Sequence, residues 1–133
     1  MKEFLIEAKT ENLDPVLEFV ASELEAAECS VKLQTQIAIA VEEIFVNIAH
    51  YAYNSEAGNA VIRIAVGDEI IIEFEDNGKP YNPLEKKDPD ITLPAEERGI
   101  GGLGIYMVKK TMDSVVYNNE SGKNKLTVRK QIF

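Results

Sequence analysis

The chain has 133 residues, of which 45% are hydrophobic and 28% are charged, and this composition predicts one globular domain over 1–133 and excludes a disordered chain or a coiled coil. The 14 basic and 23 acidic residues give a formal net charge of −9, which disfavours direct binding to nucleic acid. The single cysteine excludes a disulfide within the chain, and no apolar run reaches the length of a membrane span, so we expect a cytoplasmic protein.

Hydrophobic periodicity predicts eight regular elements, and helix-start signals, glycines and prolines set their limits. In chain order they are a strand within 2–10, helices over 16–28 and 31–53, strands over 60–66 and 69–75, a helix over 105–112, and strands over 114–117 and 126–132 that are joined by a turn at 120–124. This order predicts an α+β fold, a two-layer sandwich in which helices cover one face of a mixed, mostly antiparallel sheet.

A long loop is predicted over 76–98, because four prolines lie among its charged residues. Structureless loops of this length are uncommon in compact domains and often form lids or binding loops. The alternative is an ordinary variable insertion, and the loop alone leaves both interpretations open.

The second predicted helix carries polar side chains in an otherwise apolar run. Ten of the 13 residues over 37–49 are apolar, which is typical of a buried helix. Glu43 and Asn47 are four residues apart, so they project from one side of this helix. A carboxylate and an amide in such a setting need partners. They indicate a base and a ligand oxygen that line a pocket, or else a polar helix edge with Glu43 solvated.

The strand over 69–75 ends at Asp76, which precedes an Asn-Gly pair. Asn-Gly is typical of a hairpin turn, but the prolines that follow make a further strand unfavourable. We therefore expect the Asp76 carboxylate to point into a cavity at the end of a buried strand. It could there accept a hydrogen bond from an exocyclic amine such as that of adenine, and Gly78 would let a flat ring approach the backbone.

A glycine cluster precedes the third predicted helix and comprises Gly99, Gly101, Gly102 and Gly104. Free backbone N–H groups at a helix N-terminus form an anion site, and Arg98 adds a positive charge beside it. The cluster matches G-x-G-x-x-G, but no strand precedes it, which excludes a dinucleotide-binding unit. The alternative is a flexible loop that requires positive φ angles.

Taken together, these three motifs resemble those of the GHKL ATP-binding superfamily, whose fold gyrase and histidine kinases share. Glu43 and Asn47 resemble its N box, Asp76 and Gly78 its first glycine box, and 99–104 its second, with a lid-length loop at about 81–98 between the glycine boxes. The stretches VEEIFVNIAHYAY, ERGIGGLGIYMVKK, MDSVVY and NKLTVRK look like the anti-sigma factor serine/threonine kinases of this superfamily. The resemblance covers nearly the whole chain and implies the Bergerat fold with an ATP lid.

The resemblance also implies roles for individual residues. Glu43 would be the general base that takes the proton from a substrate hydroxyl. Asn47 would be a ligand of Mg²⁺, whose other ligands would be phosphate oxygens and water. Asp76 would bind the adenine amine, and Arg98 would neutralise phosphate charge. The nucleotide-binding residues implied in this way are Asn47, Asp76, Gly78, Arg98, Gly99, Gly101, Gly102 and Gly104.

By the same resemblance, the protein is expected to be a Mg-ATP-dependent serine/threonine kinase. Its substrate would be an anti-anti-sigma partner of the STAS type, and it would sequester a sigma factor, usually as a homodimer. The alternatives are a nucleotide-dependent binding module without productive transfer, and a regulatory ATPase of the same fold.

Two positions depart from the family pattern, because Tyr81 replaces a usual phenylalanine and Tyr51 a frequent histidine. Both changes bear on how a nucleotide would fit.

Overall fold

The computed structural model describes residues 1–53, 58–85 and 103–132. Its strands are β1 (Lys2–Glu7), β2 (Asn59–Val66), β3 (Glu69–Asp76), β4 (Ser114–Glu120) and β5 (Lys123–Gln131), and its α-helices are α1 (Leu13–Ala26), α2 (Val31–Tyr51) and α3 (Leu103–Thr111). Short 3-10 helices span Thr10–Asn12 and Pro83–Glu85. Within the described ranges, none of the helices has the length and apolar character needed to cross a membrane.

The five strands form one sheet in the order β1-β2-β3-β5-β4. Each neighbouring pair is antiparallel, so the expected α+β sandwich with a mostly antiparallel sheet is confirmed, and no parallel pair occurs among the described strands. Side chains alternate between the two faces of the sheet. The buried face includes Ile62, Ile72 and Val128, which pack with α1 and α2 in one hydrophobic core.

Helix α2 positions the polar residues that the sequence analysis singled out. It begins after Ser30, whose hydroxyl accepts a hydrogen bond from the Leu33 N–H at 3.2 Å, as an N-cap residue should. Its apolar side, including Ile37, Val41 and Phe45, is fully buried in the core. This anchoring fixes the rotation of the helix about its axis, and therefore the direction in which its polar residues project.

The β4–β5 hairpin differs from the prediction. The turn comprises only Ser121 and Gly122, with φ angles of 54° and 78°, as in the two-residue turns that favour glycine. Both strands are longer than predicted, and Asn124 lies within β5, directly opposite Asp76 of β3. The sequence between 118 and 124 is polar and largely exposed, so it lacks the apolar alternation that identifies a strand.

Candidate functional site

A small cavity of about 40 Å³, partly open to solvent, lies where α2, β3, β5 and α3 meet. Small-molecule sites typically have mostly apolar walls and a few placed polar groups. The described part of its lining has that composition. The apolar lining residues are Ile44, Ile48, Ala52, Phe74, Pro83, Ile105 and Leu126, and the polar ones are Asn47, Asp76, Tyr81, Tyr117 and Asn124.

Asp76 lies at the end of β3 and only 6% of its surface is exposed. Its Oδ1 accepts hydrogen bonds from the Gly78 N–H and from Asn124 Nδ2, each at 2.9 Å. Burial raises the pKa of this carboxyl and the charge of Glu75 raises it further, whereas the two hydrogen bonds lower it. The net effect is a raised pKa, because removing a carboxylate from water penalises its charged form.

Asn124 is the residue of the site that sequence analysis missed. It is as buried as Asp76, and its Nδ2 also donates to the Lys79 carbonyl at 2.9 Å. Its Oδ1 accepts hydrogen bonds from Tyr117 Oη and from Asn119 Nδ2. The prediction placed this residue in a turn. The signal that could have located it is the alternation of 124, 126 and 128 with the inward positions of β5.

Gly78 packs against the end of α2. A Cβ atom at this position would lie 2.6 Å from the carbonyl carbon of Ala52, and the Lys79 N–H donates to the Ala52 carbonyl at 2.9 Å. The absence of a side chain therefore allows two backbone segments to approach each other. Packing alone therefore explains why glycine occupies position 78. The contact of Gly78 with a nucleotide remains a prediction.

Glu43 and Gly104 bring α2 and α3 together. Glu43 is half-buried, and burial together with the charge of Glu42 raises the pKa of its carboxyl. A Cβ atom at Gly104 would overlap this carboxyl group and lie 2.6 Å from its Cδ. The Glu43 carboxyl group thus packs against the first turn of α3, where glycine leaves room for it.

Asn47 presents a buried oxygen to the cavity. Its Oδ1 has no hydrogen-bond partner within the described part of the chain, and such an atom is costly unless a ligand supplies a partner. Mg²⁺ takes oxygen ligands and retains waters and phosphate oxygens, so this amide fits the metal that the resemblance implies. In the described ranges no group of three or more His, Cys, Asp or Glu residues could hold a metal by itself.

The remaining predicted residues lie outside the described ranges. These are Arg98, Gly99, Gly101 and Gly102, together with 86–98 of the predicted lid. The two positions that depart from the family pattern are described, and they are in contact. The rings of Tyr51 and Tyr81 stack with centroids 5.3 Å apart and planes at 26°.

Comparison with protein families matches residues 6–130 to the histidine kinase-like ATPase domain. A serine-protein kinase RsbW of Bacillus cereus is 30% identical over 96 residues, which cover 68% of this chain and 60% of that protein. The RsbW of Oceanobacillus iheyensis is 31% identical over 98 residues, covering 63% and 57%. The chain thus spans about three-fifths of the length of these relatives. Among solved structures, the Acinetobacter baumannii histidine kinase AdeS aligns with a TM-score of 0.49 and 15% identity, covering 99% of this chain and 69% of that one.

Proposed function

The chain belongs to the histidine kinase-like ATPase domain family, and on this basis we propose that it is a Mg-ATP-dependent serine/threonine protein kinase. Two observations support the proposal. The relatives that it matches are named serine-protein kinases, and one cavity is lined by both Asn47 and Asp76, an amide and a carboxyl that suit a metal ligand and an acceptor for adenine. The observation that carries it is the buried Oδ1 of Asn47, which has no partner among the described residues, in the same cavity as the buried carboxyl of Asp76.

Asp76 and Asn47 each have a chemical task in this proposal. Asp76 accepts a hydrogen bond from the exocyclic amine of adenine, and the apolar wall of the cavity holds the ring. Asn47 holds Mg²⁺ through Oδ1, and the metal neutralises charge on the phosphates when it is bound. Phosphoryl transfer depends mostly on positioning and charge stabilisation, so few side chains are needed.

Glu43 acts as the general base. The proton leaves the hydroxyl of the substrate serine or threonine and moves to the Glu43 carboxylate, while the hydroxyl oxygen forms a bond to the terminal phosphorus of ATP and ADP leaves. A carboxylate with a raised pKa accepts a proton more readily than an ordinary one, and partial burial supplies this shift. Gly104 leaves room for the carboxyl at the start of α3.

The partners in this proposal are an anti-anti-sigma protein of the STAS type as substrate and a sigma factor as the regulated protein. The kinase would act in the cytoplasm as a homodimer, with the segment at about 81–98 closing over the nucleotide. The formal net charge of −9 is compatible with a basic partner surface.

The test is transfer of phosphate from labelled ATP to a STAS-type partner by wild type, Glu43→Gln and Glu42→Gln. Loss of a general base typically costs ~100- to 10,000-fold in rate, and we expect this loss in Glu43→Gln with ATP affinity largely retained. Glu42 is adjacent but exposed, and its charge is the smaller of the two causes that raise the pKa of Glu43. Glu42→Gln is therefore the matched control and should transfer within about threefold of wild type. Undiminished transfer by Glu43→Gln contradicts the assignment, and ATP hydrolysis without partner phosphorylation would favour the regulatory ATPase.

A further inference from the structure

Backbone groups fix the orientation of the Asn124 amide. The Tyr81 N–H points at one end of the amide, with 3.4 Å between Tyr81 N and Asn124 Oδ1. The Lys79 carbonyl faces the other end, 2.9 Å from Nδ2. A backbone N–H can only donate and a carbonyl can only accept. The oxygen of the amide must therefore face Tyr81, and its NH₂ group must face Lys79.

This orientation determines which oxygen of the Asp76 carboxyl is available to a ligand. With one N–H directed at Lys79, the other N–H of Asn124 Nδ2 donates to Asp76 Oδ1, which also accepts from the Gly78 N–H. Oδ1 thus receives two donors that cannot turn into acceptors. The atom at the Oδ1 position has to be an acceptor, and the second oxygen of the carboxyl is left for a ligand.

We infer that Asn124 is a positioning residue that makes the cavity selective for purines with an amino group over purines with a carbonyl at the same ring position. The inference rests on the proposed nucleotide site. With Oδ1 occupied, the second oxygen of the carboxyl, when ionised, offers a ligand an acceptor, so it pairs with an amine and repels a carbonyl oxygen. A buried group left without its partner is penalised strongly, and this penalty is the source of the selectivity.

The fixed orientation has a consequence for Asp76→Asn. The new side chain has nearly the same shape, but only its oxygen can occupy the position that faces Gly78 and Asn124. Its NH₂ group is then forced toward the ligand and donates to a carbonyl. The variant should therefore prefer the oxo-purine, which reverses the selectivity of the wild type.

The experiment measures the affinities for ATP and for inosine triphosphate, which carries a carbonyl in place of the amine, by calorimetry with Mg²⁺. We expect wild type to bind ATP ~10- to 100-fold more tightly than inosine triphosphate, and Asp76→Asn to bind inosine triphosphate more tightly than ATP. Asn124→Leu should reduce the wild-type ratio by at least about fivefold, because the carboxyl is no longer held. Asn118→Leu makes the same change at an exposed position of β4 and should keep the ratio.

The ratio of the two affinities separates positioning from general structural damage. A folded Asp76→Asn protein that still prefers ATP, or that binds neither nucleotide, overturns the inference even where Asn124→Leu fails to fold. So does an Asn124→Leu protein in which both affinities fall equally. Wild type that binds both nucleotides equally well overturns the inference and leaves the proposed function standing. Wild type that binds neither overturns the proposed function as well.

Discussion

At the scale of single residues, the two described glycines of the site face different kinds of atoms. At Gly78 a Cβ atom would meet the backbone of Ala52, which α2 holds in place. At Gly104 it would meet the carboxyl of Glu43, which is the end of a flexible side chain. The same substitution should therefore damage stability at one position and activity at the other.

We expect Gly78→Ala to lower the free energy of unfolding by about 1–3 kcal/mol, the usual cost of overpacking. Gly104→Ala should change it by less than about 1 kcal/mol, because the carboxyl moves aside and alanine favours the helix. The displaced base should reduce phosphate transfer by roughly 100-fold. Urea unfolding and the transfer assay on both variants measure these effects. Equal losses of stability would show that Glu43 is held as rigidly as the backbone.

Because the Asp76 carboxyl is buried, we expect the stability difference between wild type and Asp76→Asn to depend on pH. Its folded-state pKa is raised, chiefly by burial, so between the ordinary aspartate pKa and the raised value the folded state binds more protons than the unfolded state. Stability from this group is therefore present at low pH and lost as pH rises. Asp76→Asn keeps an acceptor oxygen and removes the charge. The variant should have the higher free energy of unfolding at neutral pH, and the difference should shrink on acidification.

Urea unfolding of wild type and Asp76→Asn between neutral pH and about pH 4 tests this dependence. Asp68→Asn is the control, because it makes the same change at an exposed position of the β2–β3 turn. A wild type that is more stable than Asp76→Asn at neutral pH would mean that the hydrogen bonds to the carboxylate outweigh its burial.

At the scale of elements, the ring stack between Tyr51 and Tyr81 connects the end of α2 to the segment that follows β3. Aromatic pairs of this geometry contribute about 0.5–1.5 kcal/mol beyond their buried area. A double-mutant cycle of Tyr51→Ala and Tyr81→Ala should give a coupling free energy in this range, measured by urea unfolding. Tyr81→Phe keeps the ring and should retain the coupling. Additive effects of the two alanine variants would show that the stack contributes nothing to stability.

The helices and the β2–β3 hairpin were predictable because their apolar residues recur with a regular period. The helix expected over 31–53 is observed as Val31–Tyr51, since an apolar run bounded by a capping serine specifies both its type and its start. The β4–β5 hairpin was predicted with strands that are too short. Its polar, exposed residues carry little periodic signal, and the turn depends on positive φ angles at 121 and 122.

The residues of the site also differ in whether a pattern within one segment of sequence identifies them. Glu43, Asn47 and Asp76 were predictable as candidates, because polar residues in apolar runs are recognisable one at a time. The alternation along β5 could have placed Asn124 on the inward face, but not in the site. Its importance depends on a pairing with Asp76 across 48 positions of sequence, and that pairing follows from the register of β3 and β5. A periodic pattern within one strand carries no information about which residue of another strand it faces.

At the scale of the whole molecule, charge determines how the phosphates can bind. The described lining of the cavity contains no lysine or arginine, and the formal net charge of the chain is −9. A nucleotide therefore approaches a negative body, and the repulsion is larger for free ATP than for its magnesium complex. Chelation of Mg²⁺ should weaken ATP binding at least about tenfold, because the phosphate charges then remain uncompensated.

Calorimetry with ATP and with adenosine tests this dependence, because adenosine fills the same base site without carrying charge. Adenosine should bind equally with and without Mg²⁺ and at low and high salt. For free ATP, raising the salt from about 0.05 to 0.3 M shortens the range of the repulsion and should recover part of the lost affinity. If free ATP binds as tightly as Mg-ATP, positive groups beyond the described lining must neutralise the phosphates, and Asn47 would then have no metal to hold.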